Sequence, residues 1–474
     1  MKRARIIALA SALIVAGSSS GVAQQMPGMM PQQGMMPQQG MMPQQAMMPQ
    51  QAMMASQAIG GGYGGMESYG GAQGYGPAGF GAPCDGCSPY GSGYGGTMGT
   101  DDELWDKVHQ PNRWYAGIGY VGLRMKGMYV PVLATTSPAG TAQAVAGRLP
   151  AATTLIGDEK LGSDWRHGGE VRIGWWLVDG QFLSLEGHFL ATETEETHFN
   201  ATSTFTSGNN GFILARPYFD LLANAEDARI LAFDNFNNGQ ATVDLDGSID
   251  VDTRSDYQSG GLMLRHVLWA DFERNMRFDL IGGYRYMRID EELNIHDRQF
   301  TPPFNLVPAV LNERTDIFAT ENQFHGGEIG LDANVYEDAW TFQIWGKCAF
   351  GNMHQTLDID GSQTISSGGA SNTTTGGLLA QPSNIGHYSE DEFTIIPEAA
   401  LRVQYSLYDN FRVFAGYRML YVTEVLRPGD QIDRVINETQ FNGGTLTGEA
   451  RPAANFQSGS TWLQGVDAGI EFEW

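Results

Sequence analysis

The last 15 residues of the chain constrain its fold more than any other segment. They read STWLQGVDAGIEFEW, from Ser460 to Trp474, with apolar residues at most alternate positions and acidic or small residues between them. Successive side chains of a β-strand point to opposite faces, so a strand here has one apolar face and one acidic face. Such a strand either packs on a second sheet in a soluble protein or turns its apolar face to lipid in a membrane barrel.

The amino terminus predicts export. A basic start is followed by an apolar run from Ile6 to Ala16 and by small residues that suit cleavage after Ala23. This pattern is typical of a secretory signal peptide, here residues 1–23. The rest of the chain has no run of about 18 to 20 consecutive apolar residues, which excludes a membrane-spanning helix. An exported chain of this kind is either soluble or a barrel in the cell outer membrane.

Residues 24–100 are predicted to be a disordered, low-complexity segment. MMPQQ recurs every six residues up to about Ser56, and a region rich in Gly and Tyr follows. Regular proline prevents a helix or a sheet ladder, so we expect an extended spacer. Cys84 and Cys87 form a lone C-x-x-C, a candidate disulfide within or between exported chains. It lacks the second pair or the following His that a zinc or haem site needs, so we predict no metal and no cofactor.

Residues 113–474 show strand alternation and predict an all-β fold. Short charged turns and long polar connections follow each other in strict alternation, with long ones near 127–163, 195–240, 297–313, 362–384 and 427–457. This sorting is typical of an up-and-down antiparallel transmembrane β-barrel, with tight periplasmic turns and long external loops. We therefore expect about ten strands (10 to 12) and both ends in the periplasm. The ten strands run approximately Arg113 to Lys126, Asp164 to Val178, Gln181 to Thr194, Ala241 to Ala270, Asn275 to His296, Arg314 to Tyr336, Ala339 to Gly361, Ile385 to Leu407, Asn410 to Leu426 and Ser460 to Trp474.

The same alternation assigns side chains to the lumen. Along one predicted strand, Ile329 and Leu331 alternate with Glu328 and Asp332, and the charged set should face inward. Mixed charges inside a narrow barrel either pair with one another or line water and bias which solutes pass. The lumen-facing candidates are Glu170, Arg172, Glu186, His188, Arg277, Asp279, Arg285, Glu328, Asp332, Lys347, Glu398, Arg402, Arg412, Arg418, Asp467 and Glu471.

Charge and the chain end indicate the partners. The formal net charge of −25 excludes a nucleic-acid partner, since phosphate binding needs clustered Lys and Arg. Ile470, Phe472 and Trp474 resemble the terminal assembly signal of outer-membrane barrels, which implies contact with outer-membrane lipids and the barrel-assembly machinery. Cys348, inside a predicted strand, is interpreted as a small apolar filler. The oligomeric state stays open.

Three segments resemble the putative beta-barrel porin-7 family of outer-membrane proteins. They are FHGGEIGLDANVYEDAWTFQIWGKCAFGNMHQTLDIDG from Phe324, GGLLAQPSNIGHYS from Gly376 and RPGDQIDRVIN from Arg427. The resemblance extends over roughly Trp114 to Trp474 and does not reach the low-complexity segment. It implies an outer-membrane β-barrel with a pore function and carries no catalytic motif.

The sequence is compatible with three functions. The leading hypothesis is a porin that lets small solutes diffuse passively, but ten strands enclose a lumen that side chains nearly fill. The alternative is a closed structural or surface-binding barrel that acts through its external loops. An outer-membrane hydrolase is third, using His296 with Asp297, or His354 with Asp358 and Asp360; no G-x-S-x-G marks a nucleophile, so no catalytic residue is assigned.

An acidic strand end is a weaker candidate for Ca²⁺. Asp244, Asp246, Asp250 and Asp252 recur at even spacing, and carboxylate oxygens suit this ion. The loop geometry of a calcium cage is missing. We therefore interpret these residues as a solvated acidic strand end beyond the membrane and assign no metal.

We expect a charged residue at Phe472 or Trp474 to block outer-membrane assembly, because both should lie on the lipid side near the periplasmic rim. Membrane fractionation of a Phe472→Asp chain measures this. Normal insertion of that chain would contradict the membrane interpretation.

Overall fold

A computed structural model describes residues 113–178, 181–206, 211–239 and 241–474. The predicted signal peptide, the low-complexity segment and the Cys84 and Cys87 pair lie outside the described residues. Among the residues that are described, no helix has the length and apolar character needed to cross a bilayer.

The described chain is built mainly of β-strands. Three short 3-10 helices lie at Gln143–Val145, Pro428–Gln431 and Glu438–Gly443. The strands are β1 Trp114–Met125, β2 Met128–Val130, β3 Ala134–Ser137, β4 Thr153–Ile156, β5 Glu159–Leu161, β6 Trp165–Trp176, β7 Leu183–Thr192, β8 Glu195–Ser203, β9 Ile213–Asp220, β10 Ala225–Asn237, β11 Thr242–Asp271, β12 Met276–Thr301, β13 Val310–Glu337, β14 Trp340–Ser367, β15 Ala370–Thr375, β16 Gly386–Tyr408, β17 Phe411–Leu426, β18 Val435–Ile436 and β19 Ser458–Glu473.

A closed antiparallel ring organises these strands. The pairing runs from β1 through β6, β7, β11, β12, β13, β14, β16, β17 and β19, and β19 pairs again with β1. β8 follows β7 and pairs with the outer part of β11. We call each member of the ring a stave and count β7 with β8 as one interrupted stave, which gives ten. The predicted all-β barrel is confirmed.

The total number of strands exceeds the prediction, because four predicted loops contain strands. Segment 127–163 holds β2 to β5, segment 195–240 holds β8 to β10, and β15 and β18 lie in the last two long connections. These strands are mostly short, so they give little alternation for a sequence pattern to reveal. β12, β13 and β14 also run 26 to 28 residues, which shortens the predicted loop at 297–313.

Near the short turns, the outer face of the ring is apolar and carries aromatic side chains at two levels. At the turn end, Trp114 stacks on Trp175 with ring centroids 5.4 Å apart, and Trp340 packs on Tyr405 at 4.7 Å. A second set of exposed rings lies 6 to 12 residues farther from the turns along the strands. This upper level comprises Tyr120, Tyr284, Phe350, Phe393 and Tyr421. Two aromatic levels that enclose an apolar band are the features of a membrane belt.

Above the upper aromatic level, the polarity of the two faces reverses while the facing of the strand stays the same. In the belt part of β11, Leu262 and Leu264 are exposed and Met263 is buried. Farther out, Ile249 and Val251 are buried on that same inner face. The ladder from β11 to β12 is continuous between these levels, so no register shift separates them. The outer part of the barrel is therefore a water-exposed β-head with its own apolar core.

The head core is filled by inner-face residues of the long staves and by the segments that were predicted as loops. It includes Val130, Leu133, Leu214, Leu231, Ile249, Leu293, Phe318, Leu357, Leu378 and Ile436. Each is at most 1% exposed. Burial of apolar surface thus stabilises the head in the way it stabilises a soluble domain.

Two lysine substitutions on the outer face of β13 should have different effects on stability, because one lies in the belt and the other in the head. Leu331→Lys should cost roughly 2 to 4 kcal/mol, because it places a charge between the two aromatic levels, near the middle of the bilayer. Thr315→Lys lies on the same face, opposite His296, and should be tolerated. Heat-modifiable gel mobility and urea unfolding measure both, and equal effects would refute the division.

Candidate functional site

The barrel interior decides whether solutes can pass, so it is the candidate functional site. The structure places the predicted lumen residues on the inner face of the belt, where most are nearly inaccessible: Asp279, Asp332 and Asp467 are only 1 to 2% exposed. We call this set the charged layer. Charges that leave water are tolerated only when they are paired or hydrogen-bonded, so their partners determine what the layer does.

One ring of ion pairs links four staves. Arg402 Nη2 lies 2.9 Å from Asp467 Oδ2 and 3.7 Å from Glu170 Oε1. Arg418 bonds Glu170 and lies 3.4 Å from Asp467 through its Nε. Each carboxylate thus contacts both guanidinium groups, and β6, β16, β17 and β19 are tied together across the lumen.

A second ring lies beside the first. Arg285 Nη1 is 2.6 Å from Glu398 Oε2 and 3.5 Å from Glu328 Oε2. Lys347 Nζ lies 3.6 Å from Glu328 and 3.8 Å from Glu398. Two cations and two carboxylates again compensate each other. Of the two outcomes predicted for a mixed-charge lumen, this geometry favours mutual pairing over a water-lined path.

The end of the charged layer nearer the short turns is paired in the same way. Arg265 lies 3.0 Å from both Asp279 and Asp332. Arg172 and Arg412 both contact Glu471, at 2.5 and 3.2 Å. Arg265 was not among the predicted lumen residues. Its neighbour Leu264 faces outward, so strand alternation would have assigned Arg265 to the lumen.

Little space remains between these side chains. Two cavities of about 70 and 80 Å³ lie in the layer. The first is lined by the two ion-pair rings and by His188, and the second by the groups near Arg277, Glu186 and Tyr115. Tyr115 donates its hydroxyl to Glu186 at 2.8 Å. Each cavity has room for a few water molecules only.

An apolar layer lies directly outside the charged layer and was not predicted. Nine of the ten staves contribute inner-face residues to it, each at most 5% exposed. Its members are Val121, Leu123, Met125, Leu190, Tyr257, Met287, Ile289, Phe324, Ala349, Met353, Ile396, Leu420, Val422, Val425 and Leu463. The sequence signal was present, because apolar residues replace charged ones at the inward positions of these nine staves. The apolar layer was not predicted, because apolar residues were expected on the lipid face of each strand.

Two predicted external loops fold back into the barrel above this layer. In the segment from Gly376, Leu378, Ala380 and Asn384 are each fully buried. In the segment from Arg427, Gln431 and Asn437 are fully buried as well. The prediction of polar external loops is therefore wrong for both segments. We call them together the plug.

Asp316 holds the first plug segment. Its Oδ1 accepts hydrogen bonds from the backbone N–H groups of residues 378 to 380, at 2.8 to 2.9 Å. Its Oδ2 accepts from Arg216 Nη2 at 2.7 Å. A Cβ at Gly377 would lie 2.2 Å from Oδ1, so this approach requires glycine. One fully buried carboxylate thus fixes the inward turn of the plug.

The second plug segment is held by a buried ion pair and by the first segment. Arg427 Nη2 and Nε donate to Glu291 at 2.6 and 2.7 Å. Gln440 Nε2 donates to Ser383 Oγ at 3.1 Å, and Ser383 N donates to Gln440 Oε1 at 3.0 Å. The two segments are therefore locked to each other as well as to the staves.

A buried cluster of charges surrounds Asp316 in the head. Arg216 also donates to Asp297 at 2.6 Å, and Arg229 donates to Asp297 at 3.1 Å. Burial alone would raise the pKa of Asp297, but Arg229 and Arg216 outweigh it and the pKa is lowered. Burial, reinforced by the charge of Arg229, lowers the pKa of Arg314 to about 9. The Arg314 guanidinium lies over the Phe441 ring, 4.8 Å from its centroid.

The structure does not assemble the hydrolase candidates. His296 bonds Thr315 on the outer side at 3.1 Å, whereas Asp297 is fully buried on the inner side. His354 bonds Asp391 at 2.9 Å, and Asp358 bonds a different histidine. Adjacent residues of a strand face opposite ways, so the proximity of His296 and Asp297 in sequence brings no joint site.

The acidic residues considered for Ca²⁺ lie on the outer face of the head and have separate partners. Asp250 accepts from Asn200 at 2.6 Å, and Asp252 contacts His198 at 2.5 Å. A different carboxylate group, Asp220, Asp227 and Glu438, has oxygens within 4.8 Å of one another. Arg148 lies 3.0 Å from Asp227, so that group already has a cation.

Asp316→Ala should release the first plug segment, because it removes the acceptor of three backbone N–H groups and one of the two carboxylates that pair with Arg216. Hydrogen exchange at residues 378 to 380 should become at least about tenfold faster, and Asp316→Asn should give a smaller change. Asp358→Ala, an outer-face variant, serves as the control. Unchanged protection in Asp316→Ala would show that the carboxylate does not hold the segment.

Comparison with known proteins places this barrel in a family. Among solved structures, the chain is similar to the outer membrane protease OmpT from Escherichia coli, at 12% identity and a TM-score of 0.35, covering 77% of this chain and 98% of that one. It is also similar to a FadL homologue of Pseudomonas aeruginosa, at 7% identity and a TM-score of 0.20, covering 78% and 92%. No curated protein matches the sequence. Residues 115–474 match the family described as Putative beta barrel porin-7 (BBP7), and this outer-membrane β-barrel chain belongs to that family.

Proposed function

We propose that the protein is a closed outer-membrane barrel that holds a folded β-head on the cell surface. The observation that supports this most directly is the apolar layer, which nine staves build across the lumen with side chains at most 5% exposed. A hydrated solute would have to lose most of its water to cross that layer, and its mainly apolar side chains do not replace the lost hydrogen bonds.

The charged layer and the plug add two further barriers in series. The ion-pair rings occupy the lumen through the belt, and the plug fills the head above the apolar layer. Opening a path would break buried ion pairs, and breaking one such pair by removing a partner costs roughly 3 to 5 kcal/mol. Several pairs would have to break together, which favours a barrel that is closed at rest.

The proposed role is structural and involves no catalysis. Two of the long loops that the sequence suggested as binding elements, 362–384 and 427–457, are partly folded inward, which reduces their external surface, although residues 442–450 remain exposed. Outer-membrane lipids would contact the belt. Passive diffusion of small solutes, which the family name suggests, is the competing function.

Planar-bilayer recording of the mature protein separates these functions. We expect no porin-like conductance steps from the wild type. A variant with Met287→Ser, Phe324→Ser and Met353→Ser should leak, because water can then enter the apolar layer. Phe350→Ser, on the outer face, is the matched control and should stay silent.

Stable, ohmic steps from the wild type that are unchanged in the triple variant would contradict the proposal, because they would mean that the apolar layer does not close the lumen. Swelling of protein-loaded liposomes in small sugars gives a second readout of passive diffusion.

A further inference from the structure

The hairpin that joins β12 to β13 ends in an exposed apolar tip. Its sequence is Pro302-Pro303-Phe304-Asn305-Leu306-Val307-Pro308. Leu306 is 100% exposed, Val307 50% and Phe304 42%. Single exposed apolar residues are ordinary, but three within four residues at the end of a hairpin suggest contact with another apolar surface. We call residues 302–308 the apolar tip.

The apolar tip has a defined backbone conformation. Phe304 N donates to Val307 O at 3.1 Å, and Val307 N donates to Phe304 O at 3.0 Å. Asn305 has a φ of 54°, a conformation that asparagine tolerates in tight turns. Prolines on both sides restrict the chain further. Leu306 is thus presented at the apex of a fixed turn, and little conformational entropy is lost when it is bound.

The backbone of the tip is unusually poor in free hydrogen-bond donors. Its three prolines have no N–H, and the N–H groups of Phe304 and Val307 bond within the turn. Only the N–H groups of Asn305 and Leu306 remain. Backbone donors without partners are the main obstacle when a non-helical segment enters a lipid environment. The tip largely avoids that obstacle.

Charge is also absent around the tip. The stretch from Gln299 to Asn312 contains no charged residue, in a chain of net charge −25. The first charges on either side, Arg298 and Glu313, lie 3.8 Å apart across the hairpin and compensate each other. The tip is therefore a neutral apolar point on an acidic protein.

The tip lies far from the membrane that holds the barrel. Thr301 is 17 residues beyond Tyr284 of the upper aromatic level. With the rise and tilt of barrel strands, this places the tip roughly 40 Å outside the belt. Its own bilayer is thus out of reach, and any lipid that it contacts belongs to a facing surface.

We propose that the apolar tip inserts shallowly into an uncharged lipid bilayer that faces the cell surface. Phe304, Leu306 and Val307 enter the acyl boundary, and the Asn305 side chain stays among the headgroups. Protein-binding hot spots favour Trp, Tyr and Arg with polar partners, whereas this tip offers Phe, Leu and Val side chains and few hydrogen-bond donors. Strongly anionic bilayers would repel the acidic head.

Vesicle flotation tests the proposal. The mature protein in lipid nanodiscs is mixed with phosphatidylcholine vesicles, and the floated fraction is measured. We expect binding that falls by at least about tenfold in the double variant Phe304→Ser, Leu306→Ser, which loses two buried side chains. Vesicles rich in phosphatidylglycerol should bind less well than neutral ones.

Leu222→Ser is the matched control, since Leu222 is a 59% exposed leucine elsewhere on the head. It should leave binding unchanged. An equal loss in this control, or no binding of the wild type to neutral vesicles, would overturn the proposal. So would association between nanodiscs without vesicles that the double variant abolishes, since the tip would then contact a second copy.

This inference requires that the head projects outward, as in the proposed function, but not that the lumen is closed. A conducting barrel that still binds vesicles would reject the closed lumen alone. A silent barrel that ignores vesicles would reject the lipid contact alone.

Discussion

The constant facing of side chains along uninterrupted staves is the constraint on which the rest of this structure depends. In β11 to β14 the ladders continue from the membrane belt into the head without a change of parity. Only the surroundings change, from lipid to water. The sequence therefore exchanges the polarity of the two faces at the upper aromatic level, and one sheet serves as a membrane barrel below and as the wall of a soluble-type core above.

The charged layer, the apolar layer and the plug follow from that exchange. In the belt, apolar residues are required outside, so charges are left for the interior and must pair there, as Arg402 does with Asp467 at 2.9 Å. In the head, apolar residues move inward and need something to pack against. The plug supplies it, because Leu378 and Leu379 complete the core that the long staves begin.

Two of the segments that resemble the porin-7 family form the plug. GGLLAQPSN and RPGDQ are the parts of the chain that fold inward and are held by Asp316 and Glu291. A loop that only faced solvent would tolerate many sequences. These segments instead meet narrow steric and hydrogen-bonding demands, such as the space at Gly377, and that physical demand explains why they are so unusual in sequence.

The sequence by itself determined the barrel class, the staves and the inward parity of residues such as Glu328 and Asp332, because strand alternation is a local property that a membrane sharpens. It pointed to the apolar layer at Met287 and Phe324 without revealing it, since an inward apolar residue has the same pattern as a lipid-facing one in a shifted register. The tertiary structure alone decided which charges pair, that the loops from Gly376 and Arg427 turn inward, and that the lumen is filled. Many of those features depend on contacts between residues about 50 to 250 positions apart, such as Arg418 with Glu170, and no local pattern encodes them.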